Sequence, residues 1–226
     1  MLKYDNIIYI NMEYFTEENK KEAYIVNNNF ENAISRYTKA PYVVTVDSAT
    51  NALFLCLYRE NIKNKIISIP SRTYVSVPCE IIHAGGIVNF ESVKGETLKG
   101  AYQLKPTKVW DSALRFTYDM YIPNTHMCVS FSGVYKPLKL IKGGAILTDN
   151  YEDYLWFRRA RFSGRNECAH LTDNLDMLGW NFIMPPDTAA RGLYLIGQFY
   201  NHDGSPKHFE DIENPYADLS KFNTYK

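Results

Sequence analysis

Apolar runs of strand length alternate with amphipathic helical segments along most of this chain. Residues 41–46 form a β-branched run, and residues 48–61 follow with apolar positions at helical spacing. Strands with continuous apolar runs are typical of a parallel sheet that helices cover on both faces. The alternation predicts a three-layer α/β/α fold with a mostly parallel central sheet. Further strands are predicted at 65–70, 86–93, 107–113, 125–132 and 143–149, and helices at 30–40, 73–85, 151–164 and 187–199.

Composition and charge exclude several classes of function. The 25 basic residues balance 25 acidic ones, so no net charge attracts nucleic acid or an anionic membrane. No apolar stretch approaches a membrane span, and the N-terminus has no signal-peptide core. The 4 cysteines and 5 histidines lack metal-binding spacing. We therefore expect a reduced, cytoplasmic protein with no metal site and no nucleic-acid or membrane partner.

Three strand ends carry residues suited to chemistry, and ligands of such sheets bind at the carboxyl ends of strands. Ala49 and Thr50 follow the strand at 41–46 and open a helix, which suits a phosphate, although a plain helix cap is the commoner role. Asp111 lies near the end of the strand at 107–113, where it either begins a turn or acts in a site. Lys136 follows the strand at 125–132, either as a solvated lysine or as an amine that can form a Schiff base in a pocket.

These segments, in this order, resemble the DegT/DnrJ/EryC1/StrS sugar aminotransferases, a family of fold-type I pyridoxal-phosphate (PLP) enzymes. The resemblance spans roughly residues 30–197. It implies the large domain of the aspartate aminotransferase-like fold, with PLP as the cofactor. It also implies transfer of an amino group from glutamate to a nucleotide-linked keto-sugar, and a homodimer with shared active sites. The segments that carry it are "VDSATNAL", "IPSRTYVSVPCEIIHAGG", "KVWDSAL", "KPLKLIKGGAILTD" and "LGWNFIMPPDTAARGLYL".

The resemblance also implies a role for each site residue. Lys136 is the Schiff-base lysine, with Lys139 and Lys142 as its competitors, and Asp111 is the partner of the pyridine nitrogen. A carboxylate there keeps the nitrogen protonated, and a desolvated lysine moves protons near neutral pH. The implied cofactor-binding residues are Ala49 and Thr50 in the phosphate turn, Tyr74 stacked on the ring, Asp111, Ser130 or Ser132 as a hydroxyl to the phosphate, Lys136, and Asn181 reaching the other subunit's phosphate.

The sequence departs from the family in several places. Residues 94–107 are short for the helix and strand expected there, and residues 101–104 are the candidate replacement strand. Phe131 and Gly133 replace the serine or histidine that usually precede the lysine, and Ile183 replaces an arginine. We expect an N-terminal arm at 1–29, a PLP-binding domain at 30–200 and, in place of a small C-terminal domain, an extended or partly disordered polar tail at 201–226.

Two alternatives to an aminotransferase therefore stay open. One is a degenerate PLP-fold protein that serves in binding or as a scaffold. The other is a PLP enzyme of another reaction type, such as a dehydratase or a decarboxylase. Because the departures affect substrate recognition more than the cofactor site, we expect cofactor affinity to survive better than turnover.

Overall fold

The computed structural model describes residues 24–91, 99–168 and 173–225. The predicted N-terminal arm lies largely outside these ranges. Within them no helix is long and apolar enough to cross a membrane. The described elements are α1 (Ile25–Thr38), β1 (Tyr42–Val46), α2 (Ala49–Arg59), β2 (Ile66–Pro70), α3 (Ser76–His83), β3 (Ile87–Glu91), β4 (Tyr102–Gln103), β5 (Val109–Ser112), β6 (His126–Ser130), β7 (Gly144–Thr148), α4 (Tyr151–Ala160), α5 (Pro186–Gly197) and two 3-10 turns, Leu219–Lys221 and Asn223–Tyr225.

Helices cover both faces of the sheet, which confirms the three-layer α/β/α class. Helices α1 and α5 pack together on one face, and α2, α3 and α4 belong to the core on the other. Strand β6 shows how the layers separate, because Met127 and Val129 contribute to the first core while Cys128 contributes to the second. Such alternation is the period-2 pattern of a strand with both faces buried.

The main sheet is mixed, so the prediction of a mostly parallel sheet is wrong. Its strand order is β1-β7-β6-β5-β4, and only the β5–β6 pairing is parallel, while β2 and β3 form a separate parallel pair. Parallel neighbours need a crossover of about a dozen residues or more, usually a helix. Residues 104–108, which join β4 to β5, are too few for one, and residues 131–143, which join β6 to β7, contain no helix. Strand β5 therefore runs antiparallel to β4, and β7 runs antiparallel to β6.

Close backbone contact brings the start of α2 against β7. A Cβ atom at Gly144 would lie 2.5 Å from the Ala49 nitrogen, so only glycine fits there. The side chain of Ser48 caps α2 by accepting a hydrogen bond from the Asn51 N–H at 3.2 Å. This contact fixes the helix N-terminus beside the last residue of β6, because Ser130 pairs with Gly144 in the sheet.

A buried ion-pair cluster, which the sequence patterns do not predict, fastens α4 to α1 and β1. Arg161 is fully buried, and its Nη1 donates to the Oε1 of Glu31 and to the carbonyl of Thr45, each at 2.5 Å. Its Nη2 donates to Glu167 at 3.0 Å. Both Nη atoms of Arg161 have acceptors although its Nε has none, and removing one partner would leave an uncompensated charge.

The polar C-terminal residues pack along the body of the protein. We call residues 207–222 the C-terminal strap. The N–H of Ile212 donates to the Leu114 carbonyl at 2.9 Å, and the N–H of Leu219 donates to the Ser71 carbonyl at 2.8 Å. Leu219 is buried, and Asp211 forms an ion pair with Arg115 at 2.5 Å. The sequence predicts a tail that is extended or partly disordered. In the structure these residues are extended, and the contacts just described hold them against the rest of the protein.

Candidate active site

A cavity of about 310 Å³ lies where β5 and β6 end and α2 begins. Its volume is at the lower end of the range of about 300–1,000 Å³ typical of ligand sites. Its lining contains all but one of the site residues predicted from the sequence. These are Ala49, Thr50, Tyr74, Asp111, Ser130, Ser132 and Lys136.

Lys136 is buried in this cavity, so its interpretation as a solvated surface lysine is wrong. Only 3% of the residue is exposed, whereas the competing Lys139 and Lys142 are exposed. The Lys136 Nζ donates a hydrogen bond to the carbonyl of Ala113, just beyond β5. Burial lowers the pKa of Lys136, and the nearby Asp111 carboxyl opposes that shift only in part. The site therefore favours the neutral amine more than water does.

Asp111 is the second buried ionisable group in the cavity, and both of its oxygens have protein donors. Its Oδ1 accepts from the Ala113 N–H and its Oδ2 accepts from the Tyr102 hydroxyl, both at 2.8 Å. Burial raises the pKa of Asp111, although these two hydrogen bonds and the Lys136 charge act in the opposite direction. An amine and a carboxyl thus share a cavity that disfavours the charged form of each.

The start of α2 forms the end of the cavity predicted to bind phosphate. Ala49 and Thr50 are the first residues of the helix, where backbone N–H groups lack partners within the helix. The Thr50 hydroxyl already donates to Ser76 at 3.0 Å. Asp47 lies just before the helix, and its Oδ2 forms an ion pair with the exposed Lys142 at 3.1 Å. That lysine, which also lines the cavity, counters the carboxylate charge near the helix.

The two candidate serines differ in how their hydroxyls are used. Ser132 is engaged with Gly143, since its hydroxyl accepts from the Gly143 N–H at 3.1 Å and donates to the Gly143 carbonyl at 3.3 Å. The hydroxyl of Ser130 accepts a longer hydrogen bond, at 3.3 Å, from the N–H of Ser132. Ser130 is therefore the serine with more capacity to donate to a ligand.

Tyr216, which is not among the site residues predicted from the sequence, enters the cavity from the C-terminal strap. Its ring centroid lies 5.5 Å from that of Tyr74, with the planes tilted by 55°. A larger cavity of about 540 Å³ lies on the other side of Tyr216 and shares Asp111 and Ala113 with the first. The only sequence signal for this contact is the presence of aromatic residues in the polar tail.

Asn181 is the one predicted site residue that the structure places away from the cavity. It is exposed and pairs with Phe162 in an isolated antiparallel bridge. The neighbouring Phe182 carbonyl accepts from the Asp47 N–H at 2.9 Å, so this segment runs beside the entrance to α2. Its assignment to a second subunit's site stays a prediction.

Solved structures confirm that the chain has the fold of the PLP-dependent aminotransferases. A putative PLP-dependent aminotransferase from Bacillus cereus aligns with a TM-score of 0.62 and 20% identity, over 76% of this chain and 58% of that one. A putative sugar aminotransferase from Streptococcus pneumoniae, in its PLP form, gives 0.63 and 17%, over 80% and 64%. Helicobacter pylori PseC, an aminotransferase involved in pseudoaminic acid biosynthesis, gives 0.61 and 17%, over 81% and 63%.

Residues 11–110 match the model of the DegT/DnrJ/EryC1/StrS aminotransferase family. This match confirms, over that segment, the family resemblance predicted from the sequence motifs. The chain spans 58% to 64% of the length of the three solved structures described above. A comparison with curated protein sequences finds no match.

The residues of the cavity fit PLP in three respects. Lys136 provides a buried amine for an aldehyde, Asp111 provides a buried carboxyl for a ring nitrogen, and the start of α2, at Ala49 and Thr50, lines the cavity for a phosphate. Asp47 is the exception, because a carboxylate near a phosphate repels it. Its ion pair with Lys142 reduces that repulsion.

Proposed function

We propose that this chain is a PLP-dependent aminotransferase that transfers an amino group from glutamate to a nucleotide-linked keto-sugar. The observation that carries the proposal is the burial of Lys136 and Asp111 together in one cavity at the strand ends. The family match over residues 11–110 supports aminotransferase chemistry. The sugar aminotransferase among the aligned structures supports a sugar as the acceptor. A cytoplasmic setting is part of the same proposal.

Each cavity residue then has a defined task. When bound, PLP supplies an electron sink for the amino-group carbon. The Lys136 amine would hold the cofactor and would take and return a proton, because its lowered pKa keeps more of it neutral. The Asp111 carboxyl would stabilise the positive charge of the ring nitrogen. The N–H groups of Ala49 and Thr50, with the Ser130 hydroxyl, would hold the phosphate, and the Tyr74 ring would support the cofactor ring.

A symmetric homodimer with shared sites belongs to the proposal. The apolar side chains of Val134 and Ile141 are 83% and 92% exposed, and they flank Lys136 in the loop between β6 and β7. Exposed apolar groups beside a cavity suit an interface. Asn181 lies outside its own chain's cavity, and we propose that its side chain enters the cavity of the partner subunit. Light scattering at micromolar concentration tests the dimer, and a monomer would remove this part of the proposal.

A second candidate, a PLP-fold protein that binds the cofactor but does not turn over, also has observations in its favour. Tyr216 occupies part of the space beside Tyr74, and Asp47 places a negative charge near the phosphate end. Both features limit substrate or phosphate access without removing the amine. This candidate keeps the Lys136 and Asp111 roles in binding and drops the transfer step.

The test combines cofactor binding with a single turnover. Purified protein is titrated with PLP, its absorbance spectrum is recorded, and glutamate is added while 2-oxoglutarate and pyridoxamine phosphate are measured. We expect saturable binding and slow formation of both products in equal amounts. Binding without either product would favour the second candidate or a PLP enzyme of another reaction type. An unchanged titration in Lys136→Ala and Asp111→Asn would contradict both PLP proposals.

A further inference from the structure

The short strand β4 places a tyrosine directly opposite Asp111. Tyr102 and Asp111 are partners in the antiparallel register of β4 and β5, so their side chains lie on the same face. The Tyr102 hydroxyl donates to the Asp111 Oδ2 at 2.8 Å. This hairpin occupies the stretch in which the sequence departs from its family, so the contact follows from this chain's own segment at residues 101–104.

A third residue holds the tyrosine in place. The buried hydroxyl of Thr73 contacts the Tyr102 hydroxyl within hydrogen-bond distance. Because Tyr102 uses its single proton on Asp111, Thr73 is the donor in this pair. Thr73 directly precedes Tyr74, so the chain of hydroxyls connects the loop before α3 with the carboxyl at the end of β5.

Two hydrogen bonds fix the plane of the Asp111 carboxyl. The Ala113 N–H holds Oδ1, and Tyr102 holds Oδ2, each at 2.8 Å. With one donor on each oxygen, rotation about the terminal torsion, which is otherwise broad, is restricted. Each oxygen also keeps accepting capacity for a ligand. Burial and the Asp111 charge raise the pKa of Tyr102 well above its usual value, so Tyr102 remains a donor.

We propose that Tyr102, itself held by Thr73, is a positioning residue that orients the Asp111 carboxyl toward a ligand's ring nitrogen in the cavity. The inference rests on the proposed function for the identity of the ligand. The hydrogen bonds from which we argue it lie within the protein and do not depend on a ligand. Among the described residues, three titratable groups interact electrostatically with the Asp111 carboxyl: Lys136, Tyr102 and Tyr216.

The test measures Asp111 directly, before any cofactor is added. Carbon-13 NMR of protein labelled at aspartate carboxyls follows the Asp111 titration, with the signal assigned from Asp111→Asn. Tyr102→Phe removes one hydroxyl and keeps the ring, and Thr73→Val removes the supporting hydroxyl. Tyr121→Phe is the matched control, because the half-buried Tyr121 hydroxyl also donates one hydrogen bond, at 3.0 Å to the Thr125 carbonyl, and lines neither cavity described above.

We expect Tyr102→Phe to raise the pKa of Asp111, Thr73→Val to raise it by a smaller amount, and Tyr121→Phe to leave it unchanged. In a PLP titration, Tyr102→Phe should weaken binding by roughly threefold to tenfold, the effect of one lost hydrogen bond. An Asp111 titration that is the same in wild type and Tyr102→Phe would overturn the positioning role. If the wild type binds no PLP, the proposed function is wrong, and the NMR titration still decides the role of Tyr102.

Discussion

The cavity that contains Lys136 and Asp111 has two sides that are built in different ways. One side, which we call the cradle, consists of the α2 N-terminus, the Lys136 loop and β7, and its backbone segments touch so closely that a Cβ at Gly144 does not fit. The other side, the C-terminal strap, is held by backbone and side-chain hydrogen bonds, one ion pair and a few aromatic contacts. Close packing makes a cradle sensitive to single atoms. A strap with few buried side chains can open locally at lower cost.

The largest effect is expected from overfilling the cradle. Gly144→Val should lower the free energy of unfolding by about 3 kcal/mol, because the new side chain collides with the start of α2. Gly197→Ala is the control, since no atom outside its chain neighbours and its own helix backbone lies within 4 Å of a Cβ at that position. It should change stability by less than about 1 kcal/mol. Urea unfolding measures both, and equal effects would contradict the close contact of α2 and β7.

A matched pair of leucines separates the cradle from the strap. Leu138 is fully buried two residues beyond Lys136, and Leu219 is buried in the strap. Leu138→Ala should lower the global free energy of unfolding by about 3 kcal/mol, which is typical of a core leucine. Leu219→Ala should lower it by less than about 1 kcal/mol, because the strap detaches before the body unfolds.

Hydrogen exchange shows where each leucine variant acts. In Leu219→Ala, the amides of Ile212 and Leu219 should exchange faster while those of β6 keep their protection. A loss of protection throughout the protein in Leu219→Ala would show that strap and body unfold as one unit.

A small effect of opposite sign is expected from removing the buried amine. Lys136→Met should raise the free energy of unfolding of cofactor-free protein by about 1 kcal/mol near neutral pH, a gain typical of stabilising changes at functional sites. Burial lowers the pKa of Lys136 in the folded state, so the unfolded state binds its proton more strongly. The contribution of Lys136 to the free energy of unfolding of the wild type therefore becomes more favourable as pH rises toward about 10.4, the ordinary lysine pKa.

The same pH series provides the control for the lysine prediction. Lys136→Met should lack this group's rise in stability, and Lys139→Met, at an exposed position, should retain it. Identical pH profiles for wild type and Lys136→Met would contradict a buried, destabilised amine at this position.

Sequence patterns predict the cradle well and the strap poorly, for physical reasons. Apolar periodicity locates the helices and strands because burial requires it, and the residues at strand ends then converge on one cavity. That periodicity does not depend on strand direction, so it does not predict that the sheet is mixed. The strap contains few aliphatic residues, and its backbone hydrogen bonds place little demand on side-chain type. Tyr102 was missed because its role depends on the pairing of β4 with β5.

The account's central claim is that Lys136 is the residue that captures PLP. Protein saturated with PLP is reduced with borohydride, digested, and analysed by mass spectrometry for peptides that carry a pyridoxyl group. We predict one modified site at Lys136, because its amine is buried in the cavity, and no modification of the site in Lys136→Ala. Modification at Lys139 or Lys142, or spread evenly over exposed lysines, would contradict the claim.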